Sequence, residues 1–270
     1  MNLSNKVVPP GKIDLADTSS DILQVRDVTA NFVNGHGVLQ VLNQISISVK
    51  QTEFLSIIGP SGSGKSTLLR ILAGLLPPST GQVWLDGKIM DRPRKGIGFV
   101  FQNANLMPWR TVVENIRLPL EIQNTAEQIA QKTAQELVDL VGLKGFADTL
   151  PRDLSGGMAQ RVAIARALAY DPKILFLDEP FGALDAITRE RMGNELLRIW
   201  QIKKKTIIMV THDISEALYL SDRVLVFSDR PAEIKLDMRV DLPRPREEAM
   251  RYTPGFGGMA KQLRQMIAWD

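Results

Sequence analysis

Cysteine is absent from the 270 residues. Disulfides and thiolate metal sites are thereby excluded, and a reducing compartment is compatible with the composition. Long hydrophobic runs are missing too. The longest apolar stretches, such as Phe54 to Gly59 and Ile207 to Val210, fall far short of the ~20 residues that span a bilayer. The segment Met1 to Ser20 lacks the apolar core of a signal peptide and, with Pro9, Pro10 and Gly11 among polar neighbours, reads as a flexible tail. If such a chain works at a membrane, it must sit on one and be held there by another protein. Excess charge of one sign is also lacking. The formal net charge is +3, and no clustered basic patch announces a nucleic-acid partner. The densest positive cluster, Lys203-Lys204-Lys205, directly precedes a strand-like run and reads as a solvated loop.

What remains is the composition of a soluble globular protein, 44% hydrophobic and 23% charged, long enough for one large domain with a small appendage. Short β-rich runs begin at Ile22, with Ile22 to Val28, Val38 to Val49 and Phe54 to Ile58. In the second run Val41, Ile45, Ile47 and Val49 alternate with polar residues, as in a half-exposed antiparallel strand, whereas Phe54 to Ile58 is continuously apolar, as in a buried parallel one. A helix is expected from Lys65 to Leu76, stopped by Pro77-Pro78, then strands over Gly81 to Met90 and Gly96 to Phe101. Residues 111 to 142 change to helical spacing, through Ile129, Leu137, Leu140 and Val141. Strands return at Ile174 to Leu177, Thr206 to Val210 and Arg223 to Phe227, alternating with helical segments. This pattern predicts an α/β protein with a parallel sheet, an antiparallel β subdomain and an inserted helical subdomain at about 103–160. The end of the chain, 246–270, reads as a helical tail, with packing favoured over regulation.

Gly59-Pro60-Ser61-Gly62-Ser63-Gly64-Lys65-Ser66, between a strand and a helix that continues through Thr67, fits the phosphate-loop pattern of a P-loop NTPase core. Glycines let the backbone curl so that successive N–H groups point at phosphate oxygens, and the following helix adds the positive end of its dipole. Lys65 reaches the β- and γ-phosphates in such a loop, and the Ser66 hydroxyl is a Mg²⁺ ligand. Further on, Ile174 to Leu177 delivers Asp178 and Glu179 to the carboxyl end of a strand, where α/β sheets gather their ligands. Asp178 is expected to partner Mg²⁺, and Glu179, pointing differently, to act as the general base on an attacking water.

Leu154-Ser155-Gly156-Gly157-Met158, followed by Gln160-Arg161, lies between these two motifs. Alone, the stretch could simply begin a helix with Ser155 as N-cap. In this order the chain resembles the ATP-binding cassette family from residue 22 to about 245. The resemblance implies that Ser155, Gly156 and Gly157 form a signature turn, that Gln102 senses Mg²⁺ and the attacking water, and that Ala183-Leu184-Asp185 crosses to a partner subunit. It also implies that His212 contacts the γ-phosphate and that Phe32 stacks on adenine, with phenylalanine where tyrosine is commoner. His36, the other histidine, has no such context and reads as an exposed loop residue. Thr52-Glu53 stands where the family has Gly-Glu, a departure that touches no catalytic group.

The family stacks two cassettes head to tail, so the resemblance implies ATP and Mg²⁺ bound between two ATPase subunits, alike or different. It implies a separate transmembrane permease docked near Asn103 to Val113, on apolar residues that include Leu106, Met107, Pro108 and Trp109, with core packing as the plain reading of Trp109. An extracytoplasmic substrate-binding protein joins through the complex, and the chain sits peripherally on the cytoplasmic face of the inner membrane. Leu106 to Val112, Glu179 to Asp185 and Asp241 to Arg246 are similar to importers of nitrate, sulfonates, taurine and bicarbonate. An exporter or lipid-handling ATPase and a non-transport cassette stay open as alternatives.

Overall fold

The computed structural model describes residues 21–35 and 37–267; the readings of the tail before Asp21 and of His36 lie outside them. The described residues form two sheets. The larger has six strands: β3 (Phe54–Ile58), β6 (Ile97–Val100), β7 (Ile174–Asp178), β8 (Thr206–Val210), β9 (Arg223–Phe227) and β10 (Ile234–Arg239), in the order β10-β9-β3-β8-β7-β6. All neighbours pair in parallel except β10 against β9. Every residue of β3, β7 and β8 is buried, which explains their unbroken apolar runs. Along β9, Val224 and Val226 pack into one cluster while Leu225 and Phe227 pack into the other, so the sheet divides the core into two. One side holds the antiparallel sheet of β1 (Asp21–Asn34), β2 (Gly37–Lys50), β4 (Thr80–Leu85) and β5 (Lys88–Ile89), together with α1 (Lys65–Leu72). The other side holds α2 (Val112–Ile122), α3 (Glu127–Leu140), α4 (Gly156–Leu168), α5 (Ala186–Lys203), α6 (Ile214–Leu220) and α7 (Pro254–Met266).

Three elements and one side chain differ from the sequence reading, each for a local reason. β1 does not stop at Val28; it passes through a bulge at Asp27, whose left-handed φ of 49° is held by hydrogen bonds with Ser46. α1 ends at Leu72 rather than Leu76, because Gly74 turns left-handed at φ 71° before the prolines are reached. The single strand expected over Gly81 to Met90 is a hairpin, with Asp86-Gly87 at φ 50° and 67° forming its two-residue turn. Lys205 is not solvated: half-buried, it pairs with Asp171 at 2.8 Å, while Lys203 and Lys204 are exposed. The tail packs: Phe256, Leu263 and Ile267 are buried against the helical side of the core. Among the described residues no helix is long and apolar enough to cross a membrane.

The segment before α2 is built around one amide. Asn115 is wholly buried; its Oδ1 accepts from the Met107 N–H at 2.8 Å, and its Nδ2 donates to the carbonyls of Met107, Arg110 and Thr111 at 3.2, 2.9 and 3.0 Å. Thr111 and Glu114 close a capping box on the same turn. The loop so fixed holds Leu106 and Met107 half-buried and leaves Trp109 73% exposed, which removes the core-packing reading of that tryptophan. Asn115→Ala leaves buried backbone groups unpaired and is expected to cost about 2–3 kcal/mol in denaturant unfolding. A loss under about 0.5 kcal/mol, the range of ordinary surface changes, would contradict the role assigned to this amide.

Candidate functional site

The site is assembled where three strands end at the same level. Ile57 of β3 and Asp178 of β7 both pair with Val210 of β8, so the chain leaves the sheet at neighbouring points after Ile58, Asp178 and Val210. From β3 runs the glycine-rich loop. Gly62 and Gly64 take φ values of 76° and 104°, which a side chain would strain, and a Cβ on Gly64 would stand 2.6 Å from Val41. Lys65 opens α1 and is buried; its Nζ donates to the carbonyls of Gly59 at 2.9 Å and Pro60 at 2.7 Å. Desolvation lowers its pKa, against the opposing pull of Glu179 and Asp178. The hydroxyl of Ser63 is buried without a hydrogen-bond partner, a polar group aimed at nothing the chain itself supplies.

Ser66 follows on α1 and donates to Asp178 Oδ1 at 2.6 Å. Burial raises the pKa of Asp178; the Ser66 bond, Arg70 and Lys65 oppose the rise and Glu179 adds to it. Glu179 turns off the strand at the unusual φ of 45°, fixed by its N–H bond to the Val210 carbonyl at 2.9 Å. Its carboxylate thereby diverges from that of Asp178. Glu179 Oε2 accepts from Gln102 Nε2 at 3.5 Å and lies 3.3 Å from His212 Nδ1. Four segments distant in sequence thus bring Lys65, Ser66, Gln102, Asp178, Glu179 and His212 together.

The remaining candidates lie elsewhere on the surface. Ser155 is the N-cap of α4, its Oγ accepting from the Met158 N–H at 3.3 Å. Ser155 and Gly156 are exposed and Gly157 is buried against Thr188. Asp185 is the exposed N-cap of α5, and its hydrogen bonds from Thr188 lower its pKa. Phe32 sits near the turn end of the β1–β2 hairpin, 38% exposed.

A family model described as ABC transporter matches residues 42–182. The chain belongs to the ABC transporter family. Among its relatives, an aliphatic sulfonates import ATP-binding protein, SsuB of Bacillus cereus, is 45% identical over 247 residues, 92% of this chain and 96% of that protein. The nitrate import ATP-binding protein NrtD of Synechocystis is 44% identical over 231 residues, 86% of this chain and 87% of that protein. Among solved ABC cassettes, the dimer of MJ0796 in a post-hydrolysis state, bound to ADP and Pi, superposes with a TM-score of 0.72 at 34% identity, over 82% of this chain and 100% of that one.

Residues that support this ABC cassette's site escaped the sequence reading because their partners are remote. Gln160 donates to the Phe101 carbonyl at 3.3 Å, and Arg166 to the carbonyls of Ala104 and Asn105, the latter at 2.9 Å. Helix α4, which begins at Gly156, therefore pins the chain on both sides of Gln102. The motif Gln160-Arg161 was visible; its acceptor was not. A further missed group is Glu216, on the helix after His212. It is buried, hydrogen-bonds with Thr211, and its Oε1 has no partner. Burial pushes its carboxyl up to about 7, with Asp213 adding to the rise and Thr211, Arg189 and Arg251 opposing it. Because the folded pKa lies above the ordinary 4.5, the folded chain keeps a proton that the unfolded chain loses first. Stability from this group is full below about 4.5 and is lost as pH rises toward about 7. Glu216→Gln is expected to flatten this part of the profile and to melt above the parent at about pH 8, measured by thermal unfolding without nucleotide. An unchanged difference between melting points at about pH 5 and about pH 8 would exclude Glu216 as its source.

Proposed function

We propose that the chain is the ATP-hydrolysing subunit of an importer for a small anion of the sulfonate or nitrate class, working through a separate membrane-spanning permease. The observation that carries the hydrolytic part is the divergence of two adjacent carboxylates, Asp178 onto Ser66 and Glu179 onto Gln102 and His212. The transport part rests on the import proteins to which the chain is similar. The Gly59 to Ser66 loop, with Thr67 on the helix behind it, holds the triphosphate. Phe32 supplies a face for adenine. Lys65 exchanges its bonds to the Gly59 and Pro60 carbonyls for phosphate oxygens. Ser66 and Asp178, with Gln102 nearby, form an oxygen-rich corner that would hold Mg²⁺, which would supply positive charge against the phosphates. Glu179 takes a proton from the attacking water as the oxygen bonds to the γ-phosphorus and the bond to the β-phosphate oxygen breaks, giving ADP and phosphate. His212 and Gln102 hold Glu179 and the water in line.

Ser155 and Gly156, exposed on another part of the chain, and Gly157 buried behind them cover the nucleotide of a second cassette, with Asp185 at the same contact. Two chains, identical or paired with another ATPase subunit, therefore complete two sites. The Trp109 surface takes the permease, and the assembly holds the chain on the cytoplasmic face of the membrane, where a substrate-binding protein outside completes the importer.

Glu179→Gln is expected to bind Mg-ATP within about threefold of the parent while turnover falls at least ~100-fold, the range of a lost general base. The variant should also accumulate as a dimer with ATP on a sizing column. Turnover within about tenfold of the parent would remove Glu179 from the chemistry. For the transport assignment, the tagged chain expressed in its source cells should retain a polytopic membrane protein, and a sulfonate or nitrate should stimulate ATPase activity of that complex. Recovery with nucleic acid and no membrane protein would overturn it.

A further inference from the structure

The turn between β9 and β10 lies against the phosphate loop, and it carries an arginine that pairs with no carboxylate among the described residues. A Cβ on Gly59 would stand 2.9 Å from the Phe227 carbonyl oxygen, so the end of β9 backs the start of the loop. A Cβ on Gly62 would stand 2.9 Å from Arg230 Nη2, so the guanidinium lies directly beside the loop's middle glycine. The turn is stitched in place from both sides. The Ala232 N–H donates to the Val41 carbonyl and the Asn43 N–H to the Ala232 carbonyl, both at 2.9 Å, and Asn43 Nδ2 donates to Glu233 at 2.6 Å. Ser228 Oγ donates to the Asp229 carbonyl at 2.8 Å and accepts from the Glu233 N–H at 2.9 Å. Val41 also packs on Gly64 of the same loop.

Two other arginines of this region have acidic partners. Arg223 pairs with Asp237 and Arg244 with Asp222. Arg230 is exposed and enters no salt bridge among the described residues. A cation on a turn stitched into place, without an anionic partner among the described residues and beside a loop that curls around phosphate, is complementary to a polyphosphate. We infer that Arg230 is a second cationic side chain of the nucleotide site, approaching the polyphosphate from the β9–β10 turn on the flank opposite the acidic pair. The sheet order supports that flank: β9 borders β3 on one side, while β8 borders it on the other and β7, with Asp178, lies beyond β8. The inference rests on the reading of the Gly59 to Ser66 loop as the nucleotide site.

The test is equilibrium titration of the full-length chain with ATP, ADP and adenosine, comparing parent, Arg230→Gln, Arg230→Lys and Lys65→Ala. Arg230→Gln is expected to weaken ATP and ADP about tenfold, the scale of one hydrogen bond to a charged group, and to leave adenosine unchanged. Arg230→Lys keeps the charge and should restore most of the ATP affinity. ATP affinity of Arg230→Gln within twofold of the parent overturns the inference. So does an equal loss for adenosine and ATP, which would make Arg230 a prop for the fold; melting points without nucleotide check the same possibility. If Lys65→Ala weakens ATP and Arg230→Gln does not, the arginine's role alone fails. If both are silent, the nucleotide site itself has been misplaced.

Discussion

The register of three parallel strands carries the rest of this molecule. Ile57, Val210 and Asp178 lie in one row across β3, β8 and β7, so the segments that leave those strands begin at a common height. Nothing in the side chains of the loop could bring Ser66 to within 2.6 Å of Asp178 if that row were offset. Side chains alternate between faces of a strand, so a slip of one residue would also exchange the two cores, moving Leu225 and Phe227 among the helices and Val224 and Val226 toward the antiparallel sheet. Geometry of the site and packing of the core are therefore enforced by the same hydrogen-bond ladder.

Burial does electrostatic work at the edge of that ladder. Lys65 and Asp178 are both desolvated, and each is pushed toward its neutral form. The protein answers with close donors and acceptors: carbonyl oxygens on the ammonium and a hydroxyl on the carboxylate. Glu179 is treated differently. It stands at a more open position beside Gln102 and His212, reached only because its backbone turns left-handed. Two adjacent acids thus acquire separate environments from one change of backbone direction, a cost the surrounding sheet imposes on a residue type that rarely adopts such a φ.

Much of this is legible in the sequence alone. The unbroken runs of β3, β7 and β8, the glycine loop and the strand-terminal acids are local signals, each readable within about ten residues because burial on both faces and phosphate cradling demand local patterns. The residues left unread depend on distant partners. Asn115 looks like an ordinary helix residue until the loop at Met107 to Thr111 wraps it, and Glu216 like an exposed helix acid until the core closes over it. The misplaced ends of β1 and α1 and the missed β4–β5 hairpin come from single left-handed residues at Asp27, Gly74, Asp86 and Gly87, which interrupt a periodic pattern without changing its hydrophobicity.

Helix α4 is about 20 Å of stiff rod at 1.5 Å per residue. Near its far end Arg166 grips Ala104 and Asn105; a turn and a half earlier Gln160 grips Phe101; at its near end stands Ser155. The Trp109 surface hangs from the gripped segment through the Asn115 amide. A load applied to that tryptophan cannot be absorbed locally without breaking several buried hydrogen bonds. The same bonds tie the tryptophan's loop to the rod, so the surface around Trp109 and the glycine turn at Ser155 are held on one continuous mechanical element.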